Sequence, residues 1–184
     1  VNSQQTWPSK TWNNAINISS ALPVDAAELS GLYWNDVTSR LYCVGDGGSL
    51  YVLQYNKTTG QFTLIGSSTT MGAPEGITKV NNEADEFYTI DEGSYEIRKY
   101  THNSKFSNIT KSNTWNLLKA PSPMTDTGND GPEGIAFVPD WYLQKIGFIS
   151  SATGQTYVST KGMGGLLFLA HQKGGNVWVY DVNP

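Results

Sequence analysis

Pro74-Glu75-Gly76-Ile77-Thr78 and Pro132-Glu133-Gly134-Ile135-Ala136-Phe137 are one phrase written twice, and Ser30-Gly31-Leu32-Tyr33-Trp34 is a looser third copy. The copies at Ser30 and Glu75 align without a gap at a shift of 45 residues. Gly31 falls on Gly76, Leu32 on Ile77, Tyr42 on Phe87, Asp46 on Asp91, Gly48 on Gly93 and Tyr55 on Tyr100. The copy at Glu133 resumes the pattern after an insertion of 22 residues, and His171 then holds the place of Asp46 and Asp91. A four-stranded propeller blade repeats every ~40–45 residues, so the spacing points to blades.

Within each copy, short β-rich runs alternate with turn residues. The copy at Ser30 predicts strands over Gly31–Trp34, Arg40–Val44, Leu50–Tyr55 and Gln61–Ile65, with Gly45-Asp46-Gly47-Gly48 as a tight turn. The copy at Glu75 predicts Ile77–Val80, Glu86–Ile90, Tyr95–Thr101 and a fourth strand near Thr114–Leu118. The copy at Glu133 predicts Gly134–Val138, Leu166–Ala170 and Val177–Val182. One further strand is expected near residues 14–19, and no helix is expected, Asp140–Lys145 amounting to one turn at most. The expected fold is therefore all-β: a partial β-propeller of about three four-stranded antiparallel blades. It forms a single domain over 1–184, with an arm and closing strand over 1–24 and repeats near 25–70, 71–120 and 128–184.

Composition narrows the function classes. Lys and Arg together number 12 against 16 Asp and Glu, for a net charge of −4, and no basic run occurs, which argues against nucleic acid. No apolar stretch approaches the ~20 residues of a membrane-spanning helix. Three N-glycosylation sequons, at Asn17, Asn56 and Asn108, together with low charge, favour a secreted, extracellular glycoprotein whose signal peptide has been removed, with N-linked glycans attached. Cys43 is the single cysteine and fits a buried strand position, because Tyr88 fills its equivalent place; a bridge to another chain is the alternative.

Glu28-Leu29-Ser30-Gly31-Leu32, Leu41-Tyr42-Cys43-Val44-Gly45-Asp46 and Asp130-Gly131-Pro132-Glu133-Gly134-Ile135-Ala136 resemble the blade markers of the SdiA-regulated and esterase-like phytase group of β-propellers. The resemblance spans about residues 25–182. It implies that the first strand of each blade lines a central channel where acidic residues hold calcium, which nominates Glu75 and Glu133 as metal ligands. Ser30 breaks the ring in the remaining copy.

Repeat-equivalent carboxylates brought toward one axis repel unless a proton or cation intervenes, and Ca2+ accepts an irregular oxygen shell. The alternative is that each glutamate caps backbone N–H groups at a strand start. Asp46 and Asp91 are expected to form Asx turns. His102 and His171, the two histidines, have no serine–carboxylate order or metal spacing around them, so no catalytic residue is nominated. Asp126-Thr127-Gly128-Asn129-Asp130 is acidic but lacks the spacing of a calcium loop. Trp7, Trp12 and Trp141 lie outside the repeat register and are the candidate ligand surface, the other aromatics being expected between blades.

The reading is a secreted binding or assembly module, leaning away from an enzyme. Its rivals are a calcium-dependent phytase-like or esterase-like hydrolase and a structural subunit of an extracellular assembly. Three blades do not close a ring. A further propeller segment or other copies of the chain are the expected partners, through edge strands. Val177-Trp178-Val179-Tyr180 carries no Lys or Pro to blunt its edge and is expected to pair, with Ala15–Ile18 as one candidate partner.

Overall fold

Each repeat copy folds into its own antiparallel sheet in the computed structural model, which describes residues 16–26 and 28–184. Blade 1 is β1 (Leu29–Asn35), β2 (Arg40–Gly45), β3 (Ser49–Asn56) and β4 (Gln61–Ser68), paired in chain order. Blade 2 repeats that order with β5 (Pro74–Thr78), β6 (Glu86–Asp91), β7 (Glu96–His102) and β8 (Ile109–Asn116). Blade 3 has β9 (Pro132–Pro139), β10 (Gly165–His171) and β11 (Asn176–Tyr180), in the order β11-β10-β9. This is the sheet pattern of propeller blades.

Alternation along the strands gives each sheet two apolar faces, and the blades stack through them. Tyr42, Val44, Leu50 and Val52 of blade 1 pack with Phe87, Tyr100 and Phe106 of blade 2. Tyr88, Ile90 and Ile97, on the other face of blade 2, pack with Ile135, Leu167 and Leu169 of blade 3. Each fully buried aliphatic or aromatic side chain contributes roughly 1.5–3 kcal/mol. The remaining face of blade 1, with Cys43, Tyr51 and Leu53, is covered by Ile18, Ala21, Leu22 and Ala26 from the segment before β1.

The repeated glycine sets how closely the inner strands approach. A Cβ on Gly31 would lie 2.8 Å from the Gly76 Cα, and one on Gly76 would lie 2.9 Å from the Ile135 nitrogen. The phrase shared by the three copies is thus the place where β1, β5 and β9 meet backbone to backbone.

Three expectations change. Ile16–Ile18 carry no strand and Ser19–Ala21 make a 3₁₀ turn, so the opening strand does not form over the described residues, and residues 1–15 lie outside them. The segment spends its apolar side chains on the face of blade 1 instead of adding to a sheet edge. The second difference is a true helix, α1 (Asp140–Ile146). Gly147 ends it at φ 63°, with Phe148 N–H donating to Leu143 O and Gly147 N–H to Gln144 O, a Schellman motif. Leu143 is its one buried residue, too little periodicity to signal a helix in sequence. Third, β8 begins at Ile109 and ends at Asn116, earlier than Thr114–Leu118; as the outermost strand it exposes Thr110, Lys111 and Ser112 and has no apolar run.

Candidate functional site

Glu75 and Glu133 occupy the second positions of β5 and β9, beside the close backbone approach. Burial pushes the Glu75 carboxyl up to about 6; the Ser30 hydroxyl opposes this, and the charges of Asp46 and Glu133 add to it. Glu133 is also raised, by burial first and then by Glu92 and Asp46. The fold therefore brings together the two predicted glutamates and adds Asp46 and Glu92 from the turns after β2 and β6. Among the described residues, however, no three His, Cys, Asp or Glu side chains converge closely enough to hold a metal ion.

The two turn aspartates behave differently. Asp91 closes its turn one residue later than an Asx turn does, its Oδ1 accepting from Ser94 N–H at 2.9 Å and Ser94 Oγ at 2.6 Å. Its Oδ2 accepts from Ala73 N–H at 3.0 Å and pairs with the Arg98 guanidinium, tying the linker between blades 1 and 2 to the β6–β7 turn. Asp46 departs further from the expectation. The β2–β3 turn closes by Gly48 N–H donating to Gly45 O, and the exposed Asp46 carboxylate is turned to the glutamates.

His171 is buried, with Nε2 3.2 Å from Thr127 Oγ1. His102 is buried among Tyr42, Phe87 and Phe106, with the Phe106 ring centroid 4.4 Å away. Burial lowers its pKa, and Lys79 and Arg40 act in the same direction. The Thr127 hydroxyl beside His171 also donates to Asp130 O at 2.9 Å. The Asp126–Asp130 loop is spent locally: Asp126 Oδ1 accepts from Gly128 N–H at 2.8 Å, and Asp130 pairs with Lys173 at 3.2 Å. Cys43 is fully buried, and burial pushes its thiol up to about 11, as a packing residue requires.

Asn17, Asn56 and Asn108 are all exposed. The Asn56 Oδ1 accepts from Thr58 and Thr59 N–H at 2.9 and 3.1 Å, and the Asn17 Oδ1 from Ser19 N–H at 2.9 Å. Trp141 is 65% exposed on α1, edge-on to Tyr142 at 5.5 Å. Trp7 and Trp12 lie outside the described residues.

Sequence reasoning missed the outer face of blade 3. A cavity of about 610 Å³ opens there between the 148–157 segment and the sheet, lined by Phe148, Ile149, Leu166, Phe168, Val177 and Val179. Phe148 packs edge-on to Phe168 at 5.6 Å, and Ile149 bridges to Thr156. The outer edge of β11 borders this cavity, and among the described residues no strand pairs with that edge. Alternation in Val177-Trp178-Val179 was the available signal; which face would stay uncovered depends on how the insertion folds.

The sheets define the class: an all-β, propeller-type stack of blades. Solved structures similar to it include a chain of the mitotic checkpoint complex, at 12% identity and TM-score 0.48, with 85% of this chain and 36% of that one covered. A Lactobacillus plantarum protein matches at 13% identity and TM-score 0.46, covering 83% and 40%. The β-propeller domain of Cps50 (Swd1) from Myceliophteria thermophila matches at 12% and 0.36, covering 83% and 43%. This chain thus spans less than half the length of each of these structures. The likeness is one of fold. No protein-family model and no curated protein sequence matches the chain.

Proposed function

We propose that the protein is a binding or assembly module of the β-propeller kind, secreted and glycosylated, which presents blade 3 to a partner. The observation that carries this reading is the asymmetry of the stack. The far face of blade 1 is covered by Ile18, Ala21, Leu22 and Ala26, whereas the far face of blade 3 keeps, among the described residues, an apolar cavity lined by Leu166, Phe168, Val177 and Val179. Hydrogen exchange on native material tests it. The 176–180 amides are expected to be protected beyond what β10 pairing provides, and full exchange of the outward-facing amides would sink the reading.

The resemblance to esterase-like phytase propellers supplies a rival, a calcium-dependent hydrolase. The facing carboxylates Glu75 and Glu133 favour an axial cation, with the remaining oxygen donors coming from another polypeptide. Calorimetric titration with calcium, in the wild type and in Glu75→Gln, together with turnover of phosphate and ester substrates, separates the two. Calcium-dependent turnover lost in Glu75→Gln would establish the hydrolase.

A further inference from the structure

We propose that His102 and the loop after it form an acid-operated latch between blades 1 and 2, with Phe106 as its bolt and protonation of His102 as its release. The inference is independent of the module reading. The β3–β4 turn of blade 1 has four residues, 57–60, whereas the equivalent β7–β8 connection of blade 2 has six, 103–108. The longer connection reaches across to β4, the outermost strand of blade 1. Phe106 is fully buried there, and a Cβ on Gly66 of β4 would lie 2.6 Å from the Phe106 Cβ and 2.5 Å from Lys105 O. Gly66 is therefore the seat into which the bolt fits. Phe106 reaches it at φ 56°, a left-handed backbone that strains a bulky residue and persists only while its surroundings hold it.

One carbonyl joins the bolt to the sensor. Asn103 O accepts from Phe106 N–H at 3.0 Å and lies 3.0 Å from His102 Nδ1. A carbonyl oxygen only accepts, so Nδ1 carries the proton of the neutral ring and Nε2 its lone pair. The His102 side chain is 1% exposed, and Nε2 is buried with no hydrogen-bond partner among the described residues. Protonation would place there an N–H that nothing accepts and a charge that burial opposes.

The groups around the ring do not offset that charge. Tyr42, Phe87 and Phe106 form a cage, with ring centroids 6.4, 6.1 and 4.4 Å from that of His102. Two of the three rings already carry a cation. The Arg40 guanidinium, from β2, lies 5.5 Å from the Phe106 centroid, and the Lys79 ammonium, just past β5, lies 5.3 Å from that of Tyr42. Lys79 is buried and held in place by donating to Ala84 O and Glu86 O. Asp85, before β6, is the carboxylate that faces the ring, but it is 71% exposed and lies 4.0 Å from Nδ1, the nitrogen that already has its proton. Lys105 of the loop and Lys111 of β8 are exposed. An imidazolium would thus be a third cation in one apolar cage, and water reaches it only when Phe106 leaves its seat. Burial, Lys79 and Arg40 all hold the closed-state pKa below the ordinary 6.5, so falling pH favours the open loop.

Hydrogen exchange of the full chain, read by mass spectrometry at about pH 8 and about pH 5 with times scaled for intrinsic rates, tests the latch. Protection over residues 103–109 is expected to fall about tenfold for each unit by which the cage lowers the His102 pKa, while that of Leu50–Leu53 in β3 is kept. The His102 imidazole resonance supplies that pKa independently. His102→Gln should abolish the difference between the two pH values. Gly66→Ala fills the seat without touching the histidine, and should leave the loop unprotected at both. Unchanged wild-type protection across the two pH values overturns the latch, as does a fall that persists in His102→Gln. A fall shared by the whole chain, or full protection of the loop in Gly66→Ala, overturns it equally.

Discussion

Gly31 and Gly134 hold the same place in the repeat and meet different neighbours. Gly31 faces the backbone of Gly76, but a Cβ on Gly134 would lie 3.4 Å from the Ala170 Cβ, an ordinary contact. Gly31→Ala and Gly76→Ala should therefore each cost about 1–3 kcal/mol by forcing inner strands apart, and Gly134→Ala well under that. Urea unfolding of the three variants checks this, and equal losses would show that the close approach is not what the glycine serves. Two titrating groups act in opposite senses. His102, ordinarily near 6.5, is lowered in the folded state, so the stability it brings is present above 6.5 and drains away as pH falls through its folded value. Glu75, ordinarily 4.5, is raised to about 6, so its contribution is full below 4.5 and is lost as pH rises through about 6. His102→Gln should flatten the acid-side loss, and Glu75→Gln should raise the unfolding midpoint near neutral pH while changing nothing below pH 4.5. Unfolding midpoints followed across pH decide both; a Glu75→Gln gain that persists in acid would rule out ionisation of the buried carboxyl as its cause.

Among the elements, the β6–β7 hairpin depends most on a single pair. Asp91 is 4% exposed and accepts from Ala73, Ser94 and Arg98. In Asp91→Ala the Arg98 guanidinium keeps Glu96 Oε2 at 2.9 Å, so the loss is that of the bonds to one buried acceptor, about 1–3 kcal/mol, and Asp91→Ala with Arg98→Met should recover part of it. No recovery would place the cost in the bonds to Ser94 and Ala73 instead. The strands themselves were largely legible, because several inner strands, buried on both faces, are unbroken apolar runs such as Leu41–Val44, Leu50–Leu53 and Leu166–Ala170, with Gly-containing turns after them. The outermost β8 was displaced in the reading because a rim strand packs on one side and may carry Thr-Lys-Ser-Asn outward at no cost. α1 was missed because Leu143 alone binds it to the sheet. At the site, Glu75 and Glu133 were legible from the repeat, whereas their union with Asp46 and Glu92 depends on turn conformations that no local pattern encodes. The cavity of blade 3 depended on the path of residues 140–164, which have no counterpart in the other copies.

At the scale of the whole molecule, the sequons and the bare surface divide the stack. Asn17 belongs to the segment lying on blade 1, Asn56 to the β3–β4 turn, and Asn108 to the equivalent β7–β8 connection of blade 2; blade 3 has none. N-linked glycans at these positions would shield the first two blades and leave β11 and its cavity uncovered, as a protein presenting blade 3 requires. Expressed in a secretory eukaryotic host, the protein is expected to carry sugar at all three. The cleanest variants change the third sequon residue, because Asn56 and Asn17 use their Oδ1 atoms to hold local turns. Ser19→Ala, Thr58→Ala and Thr110→Ala should each remove one glycan from the intact mass while shifting stability by no more than about 0.5 kcal/mol, all three residues being exposed. Peptide mass spectrometry after glycosidase treatment in heavy water should label the same three asparagines. The fully glycosylated and enzymatically stripped proteins should then show the same hydrogen-exchange protection over residues 176–180, since no sequon lies on blade 3. Protection that changes on stripping would mean that sugars reach β11 and that the division of the stack into a shielded and a presenting half is wrong.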